Sequence, residues 1–319
     1  MAPRVALALI ASLAVAVPAA ATPPGSNGLI GWQRETPSGF PQLRVANPDG
    51  SDARTVFPSP RRIGELELAF SPTDPNLVVF TRFSAGPFSA DLFRGNLATG
   101  GVRRLGTPRS ADIAPTVSPD GSTIAYFGVR RPRSNSPAPL ERIRLIGING
   151  EDPRTITPRN LRGIDPDWSP DGTRFVYCEA RVRPRTVQNR IAVMNVDGTG
   201  RRPLTRYGGP SEVNPKWMPD GQTIVFEQMR EGGSRSDIAS IPASGGPIRK
   251  ILSSRRWETN PVPSPDGTRI VFSGNLDRRG GGRLSLNFEL YTMAVDGTDI
   301  RRITNNRRPD LFPDWQRLP

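Results

Sequence analysis

The stretch Asp165–Cys178, with the sequence DPDWSPDGTRFVYC, decides the fold, because its central turn and the apolar run after it recur along the chain. Ser118–Gly121, Ser169–Gly172, Met218–Gly221 and Ser264–Gly267 repeat the turn at intervals of 51, 49 and 46 residues. Proline at the first central position fixes φ, and glycine supplies the left-handed residue that closes a hairpin. The four copies are therefore turns between strands and not catalytic aspartates.

A second turn recurs about 27 residues after each of these turns. Asn195–Gly198 and Val295–Gly297 are its clearest copies, and Asn149-Gly150 and Ser244-Gly245 are variants. Apolar runs with strand alternation flank both turns. Four short strands in about 45 to 50 residues form the unit of a β-propeller blade.

Composition excludes several chemistries. The chain has 319 residues, no histidine and one cysteine, so Ser-His-Asp catalysis, histidine metal sites and four-cysteine zinc sites are excluded. Its net charge is +13, and because Lys216 and Lys250 are the only lysines, the basic excess is almost wholly arginine. No basic run carries regularly interleaved aromatic residues, so we predict no nucleic-acid partner.

The first 21 residues have the pattern of a secretory signal peptide. Arg4 is their only charge, the apolar stretch Val5–Val17 follows, and Ala19-x-Ala21 is a small-residue cleavage site. Thirteen apolar residues are too few for a membrane span of about 20. We expect residues 1–21 to be removed and residues 22–319 to form a single exported domain, periplasmic, envelope-associated or secreted, with no transmembrane segment. A retained N-terminal tether is the alternative.

The repeat resembles that of the TolB family. A Pro-x-Trp-Ser-Pro-Asp-Gly turn, a β run, an Asn-x-Asp-Gly turn and Arg-Arg-x-Leu/Ile-Thr follow one another, best at Asp165–Thr205 and Asn214–Leu252. The resemblance implies a WD-like β-propeller. TolB has an additional N-terminal α/β domain, for which we expect no counterpart between the cleavage site and the first strand, so a role that depends on that domain is not carried over.

The two ends of the chain complete the blade count. Residues 28–57 contain the later strands of a blade without an innermost one, and Phe312–Trp315 matches the innermost strand at Asp165–Trp168. Five complete repeats and one shared blade predict an all-β, six-bladed β-propeller of four-stranded antiparallel blades, closed by the N- and C-terminal segments. Closure removes the open edge of a linear array.

Acidic residues occupy one column of the repeat, three positions before the repeat proline. They are Glu65, Asp112, Glu212, Glu258 and Asp310, and Gly163 is the sixth member. Two positions further on, Glu67, Asp165, Asn214 and Asn260 add carboxylate and amide oxygens. We expect these residues to crown one mouth of the axial channel. Converging oxygens suit Ca²⁺, with the five acidic residues as its ligands, or a cationic group of a peptide; the alternative is that they cap turn amides.

Three arginine-rich segments between second and third strands are predicted to rim the same face. They are Val129–Glu141, Arg181–Gln188 and Asn275–Ser285, with Arg131, Arg183 and Arg279 as candidate partner-binding residues. Long loops on a rigid scaffold commonly carry binding sites.

The leading functional hypothesis, which the resemblance to TolB implies, is a non-catalytic, monomeric propeller that requires no cofactor. It binds a protein or peptide of the envelope or extracellular space on the face with the acidic channel mouth. The rivals are an enzyme that cleaves an extracellular polysaccharide with two of the carboxylates, and a structural component of the envelope.

Overall fold

The computed structural model describes residues 25–60, 62–84, 89–106, 110–130, 141–183, 186–230, 235–276 and 287–318. These residues form 24 strands in six sheets of four antiparallel strands, with no helix among them. The described part of the chain thus contains no helix able to cross a membrane. The predicted six-bladed propeller is confirmed.

In each blade four strands succeed one another from the axis outward. Blade 1 is β24 (Asp310–Leu318), β1 (Ser26–Arg34), β2 (Gln42–Ala46) and β3 (Arg54–Thr55); blade 2 is β4 (Ile63–Phe70), β5 (Leu77–Ser84), β6 (Asp91–Asn96) and β7 (Val102–Arg104); blade 3 is β8 (Ser110–Val117), β9 (Thr123–Arg130), β10 (Glu141–Gly147) and β11 (Arg154–Thr155). Blade 4 is β12 (Arg162–Trp168), β13 (Arg174–Arg183), β14 (Thr186–Asn195) and β15 (Arg202–Pro203); blade 5 is β16 (Glu212–Trp217), β17 (Thr223–Met229), β18 (Ser236–Pro242) and β19 (Arg249–Leu252); blade 6 is β20 (Glu258–Pro263), β21 (Arg269–Gly274), β22 (Glu289–Ala294) and β23 (Arg301–Arg302).

Blade 1 closes the ring as predicted. The C-terminal strand β24 pairs antiparallel with β1, with Trp315 opposite Ile30 and Asp310 opposite Arg34. The sheet therefore joins residues near both ends of the described chain, and β24 covers the inner edge of β1.

The two repeated turns have the predicted glycine conformation but different surroundings. Gly172 has φ +69° and its N–H donates to Ser169 O at 2.8 Å. Gly198 has φ +85° and lies directly against the carbonyl oxygen of Ile156 in the preceding blade. At Gly172 glycine is needed for its φ alone, whereas at Gly198 it is also needed for close approach.

The core consists of six apolar clusters, one at each junction between neighbouring blades. Trp217 of blade 5, for example, packs with Val176 and Ile191 of blade 4, and Trp315 packs with Val262 of blade 6. Trp217 and Trp315 thus wedge neighbouring blades together, and large aromatic side chains dominate such cores.

Every innermost strand contains a bulge with one residue in the left-handed region. The six residues have φ between 50° and 52°: Glu67, Ala114, Asp165, Asn214, Asn260 and Phe312. The strand pairing shifts register at each of them. A bulge interrupts the alternation of side chains and re-aims the residues around it. It is therefore the local feature that decides which side chains face the axis.

Candidate binding cavity

A cavity of about 260 Å³ lies on the propeller axis and is lined by all six innermost strands. Its lining begins at the bulge residues and extends past the strand ends to Pro72 and Pro119. The cavity therefore lies toward the face that carries the Ser-Pro-Asp-Gly turns, away from the strand starts.

The cavity holds more acidic than basic groups. Its ionisable lining residues are Glu67, Asp165, Asp167, Asp314, Lys216 and Arg317. Lys216 Nζ lies 3.3 Å from Asp167 Oδ1. The carboxylates of Asp167 and Asp314 also accept the main-chain N–H groups of Trp217 and Phe70 in the next blade, each at 2.8 Å.

Enclosure within the protein changes the acidity of these groups. Lost hydration raises the pKa of Glu67 to about 8, with a further contribution from the charge of Asp165. Lost hydration also raises the pKa of Asp165 and of Asp314 to about 6 each, although Lys216 opposes both shifts. Burial disfavours the charge on Lys216 itself, but the carboxylates of Asp167, Asp314 and Asp165 outweigh it and raise its pKa. The cavity is thus a poorly hydrated site in which added positive charge is favoured.

The bulge residues Asp165, Asn214 and Asn260 line this cavity, as predicted for the channel. Asn214 Nδ2 donates to Glu227 Oε2 at 3.0 Å, so its amide is partly engaged within blade 5.

The five acidic residues predicted to crown the channel lie elsewhere, and this part of the sequence analysis was wrong about position. The residues are Glu65, Asp112, Glu212, Glu258 and Asp310; none lines the axial cavity, and each is at most 3% exposed. Asp310 accepts from Arg34 at 2.6 and 2.8 Å, and Glu65 accepts from Arg82 at 2.5 Å.

Strand register explains the misplacement. Glu65 stands opposite Arg82 on the neighbouring strand, and Glu212 stands opposite Gln228. Opposite residues of a ladder share one face of the sheet, and in a propeller the sheet faces pack against adjacent blades. These carboxylates are consequently buried on blade faces, and only the bulge turns later residues toward the axis.

The remaining members of this column also have local partners. Asp112 accepts from Ser110 Oγ at 2.8 Å and lies 3.8 Å from Arg144. Glu212 accepts from Thr205 Oγ1 at 3.0 Å, and Glu258 accepts from Ser254 Oγ. Burial raises the pKa of Glu212 and of Glu258 to about 7 each.

No group of three or more acidic, cysteine or histidine side chains in the described ranges is placed to share a metal ion. The structure therefore does not bring the five predicted Ca²⁺ ligands together. The lone Cys178 is fully buried, as expected for a core residue, and burial raises its pKa well above its usual range.

The predicted arginine rim is only partly described. Arg131 and Arg279 lie outside the described residues, whereas Arg183 is exposed at the end of β13. Arg181–Gln188 was predicted as an irregular loop, but Arg181–Arg183 and Thr186–Gln188 are paired strand residues. The β-branched residues Val182, Thr186 and Val187 favour an extended conformation. The arginines and the proline in the same segment had suggested a loop instead.

Most of the charge of the cavity is carried by three residues that the repeat pattern did not predict as site residues: Asp167, Lys216 and Asp314. They share one column of the repeat, immediately before the tryptophans. The signal was present as charged residues directly before the tryptophans of these innermost strands.

Comparison with known proteins agrees with this architecture. The family model described as PD40, the TolB β-propeller domain, matches residues 34–285. The chain belongs to the TolB β-propeller family.

Individual relatives are similar over part of their length. An uncharacterised protein of Agrobacterium fabrum is 32% identical over 213 residues, which cover 62% of this chain and 64% of that protein. The Tol-Pal system protein TolB of Anaeromyxobacter dehalogenans is 29% identical over 176 residues, which cover 54% of this chain and 37% of the relative. The chain thus spans less than two thirds of either curated relative.

A solved structure shows the same fold. TolB from Acinetobacter baumannii superposes with a TM-score of 0.70 at 21% identity, covering 90% of this chain and 66% of that one. At this identity the likeness concerns architecture, and function has to be argued from the site.

Proposed function

We propose that this TolB-family propeller is exported, acts without catalysis, and binds a protein or peptide partner through a cationic side chain that enters the axial cavity. The observation that carries the proposal is the acidic lining, in which the four carboxylates of Glu67, Asp165, Asp167 and Asp314 outnumber the two basic groups of Lys216 and Arg317. The similarity to a Tol-Pal system protein supports a partner in the cell envelope.

The size and charge of the cavity favour one guanidinium or ammonium group. About 260 Å³ is slightly below the roughly 300–1,000 Å³ of pockets that enclose a whole small molecule. A cation would find fixed carboxylates in poorly hydrated surroundings, where charge pairing is stronger than in water. Because the pKa of Glu67 is about 8, that side chain carries a proton at pH 7, and binding of a cation should release it.

The proposal is tested with the pentapeptide Gly-Gly-Arg-Gly-Gly and a control in which glutamine replaces arginine. Titration calorimetry in phosphate and in Tris buffer should give different apparent enthalpies for the arginine peptide, because a proton is released. Asp165→Asn should weaken binding by about tenfold or more, equivalent to about 1.4 kcal/mol.

Glu212→Gln is the matched control, since it removes a buried carboxylate of raised pKa that lies outside the cavity. Equal binding of the two peptides, or equal loss in Asp165→Asn and Glu212→Gln, would refute the cavity as the binding site.

A polysaccharide-cleaving activity remains the second candidate, because Glu67 and Asp165 share one cavity while their pKa values are about 8 and about 6. A pair with separated pKa values can divide the roles of acid and base. Release of reducing ends from acidic and neutral polysaccharides, lost in both Glu67→Gln and Asp165→Asn, would support the enzyme over the binding protein.

A further inference from the structure

The hairpin of strands β13 and β14 in blade 4 projects beyond its own sheet. Both strands are ten residues long, and they pair up to Val182 opposite Val187 and Arg183 opposite Thr186. Strand β12 pairs with β13 only as far as Ala180, and β15 covers β14 only at residues 192 and 193. Residues 181–183 and 186–190 therefore form a projecting ribbon, called the arm below.

A buried ionic network holds the base of the arm. Glu179 is 3% exposed and accepts from Arg190 at 2.6 Å, from Arg201 at 2.7 Å and from the Tyr207 hydroxyl at 3.0 Å. The Arg181 guanidinium lies 4.8 Å from the Tyr207 ring centroid. Charge-assisted hydrogen bonds from several elements fix one orientation, so the arm leaves the blade as a positioned ribbon.

The backbone of the arm has a free edge. On β14 the N–H groups of Asn189 and Ile191 donate to Ser211 Oγ and Thr205 Oγ1 at 3.0 and 2.9 Å, away from β13. Antiparallel ladders alternate between hydrogen-bonded and non-hydrogen-bonded residue pairs. Val187 and its opposite residue Val182 therefore also point their main-chain N–H and C=O groups away from the partner strand of the hairpin. At Val182 this edge lies beyond the last residue of β13 that pairs with β12, and no other described strand pairs with it.

The side chains of the arm are apolar and basic. Val182 and Val187 are 47% and 59% exposed. Arg181 and Arg183 lie on either side of Val182 and are exposed. The arm thus combines unpaired main-chain groups, an apolar pair and positive charge.

We infer that the β13 edge of the arm is a docking site for an acidic, extended segment of another protein, which adds a strand opposite Val182. Strand addition supplies main-chain hydrogen bonds, while alternate side chains supply specificity. Glutamate or aspartate of the segment would pair with Arg181 and Arg183, and an aliphatic residue would cover the exposed valines. A second copy of this chain would bring the same arginines together, so charge favours an acidic partner.

The probe is a fluorescein-labelled octapeptide of alternating glutamate and valine, with a lysine-valine octapeptide as the control for charge. Fluorescence anisotropy should show saturable binding of the acidic peptide to the full chain and at least about tenfold weaker binding of the basic one. A second form of the acidic peptide carries N-methyl groups on alternate backbone nitrogens, along the edge that would face β13. This methylated peptide should not bind, because it lacks the N–H donors that extend the sheet.

Two variants locate the site. Val182→Pro removes an N–H that points away from β14, a position at which an edge strand tolerates proline; Arg183→Glu reverses a charge. Each should weaken the acidic peptide by about tenfold or more, whereas Arg154→Glu on the exposed outer strand β11 should not. Binding that survives backbone methylation, or that falls equally in Arg154→Glu and Arg183→Glu, would overturn the inference. If Val182→Pro fails to fold, the methylated peptide still tests whether main-chain hydrogen bonds carry the binding.

Discussion

Glycine is required for different reasons in the two repeated turns, and alanine substitution separates them. Gly172→Ala places a β-carbon in ordinary van der Waals contact, with Pro119 Cδ at 3.8 Å. The free energy of unfolding should therefore fall only because alanine must adopt the left-handed conformation at φ +69°, which costs about 1–2 kcal/mol for a residue with a β-carbon. In Gly198→Ala the same backbone cost applies at φ +85°, and the β-carbon also overlaps the carbonyl oxygen of Ile156.

The overlap at residue 198 involves backbone atoms, so relief requires the turn of blade 4 to move away from blade 3. Overpacking of this kind costs about 1–3 kcal/mol in addition. We therefore expect Gly198→Ala to lose about 2–5 kcal/mol and Gly172→Ala about 1–2 kcal/mol.

Urea titration followed by tryptophan fluorescence measures both free energies of unfolding, and equal slopes would show that the transitions are comparable. Equal midpoints for Gly172→Ala and Gly198→Ala would refute the close approach between blades 3 and 4. An unchanged midpoint in both would refute the left-handed turns themselves.

Three further outcomes are expected. Because burial raises the pKa of Glu212 from 4.5 to about 7, the folded state holds a proton that the unfolded chain loses, so wild-type stability should fall as pH rises from about 4.5 to 7, by at most about 3 kcal/mol for this group. Glu212→Gln should flatten that slope in urea titrations at several pH values and be the more stable protein at pH 8; a steeper slope would contradict the burial argument. Lys216→Met removes the charge that lowers the pKa values of Asp165 and Asp314, so both should rise above about 6 in carboxyl NMR titrations, and unchanged values would contradict the pairing. Deletion of residues 310–319 removes β24 and exposes the inner edge of β1, so size-exclusion chromatography should show aggregation, and a monomer with a normal melting temperature would contradict the shared blade.

The fold was predictable from the sequence because its determinants are local and repeated. A turn such as Ser169–Gly172 specifies a hairpin by itself, since proline and glycine restrict φ irrespective of the rest of the chain. The closing strand at Phe312–Trp315 was identified for the same reason, because it repeats the pattern of Asp165–Trp168.

The position of the cavity residues was not predictable to the same extent, because it depends on backbone geometry that residue types do not encode. Asp165 and Phe312 adopt the same left-handed conformation, with φ 50° in both, although an aspartate and a phenylalanine have little in common. Counting positions along an innermost strand without this bulge places Glu65 on the axis, whereas register places it opposite Arg82 on a blade face.

The column of residues immediately before the tryptophans contains positions at which the fold tolerates both apolar and charged residues. Ala69 and Val262 occupy it in blades 2 and 6 and line the same cavity as Asp167, Lys216 and Asp314, so the blade does not require charge at this position. Asp167 and Asp314 do bind the N–H of the next blade, but a hydrogen bond of that kind does not call for a lysine beside it. Burying charges in this column costs free energy that apolar residues would avoid. Apolar residues are compatible with the repeat at this position, as Ala69 and Val262 show. The charges of the cavity are therefore not explained by the stability of the propeller, which supports the proposed binding of a cationic side chain there.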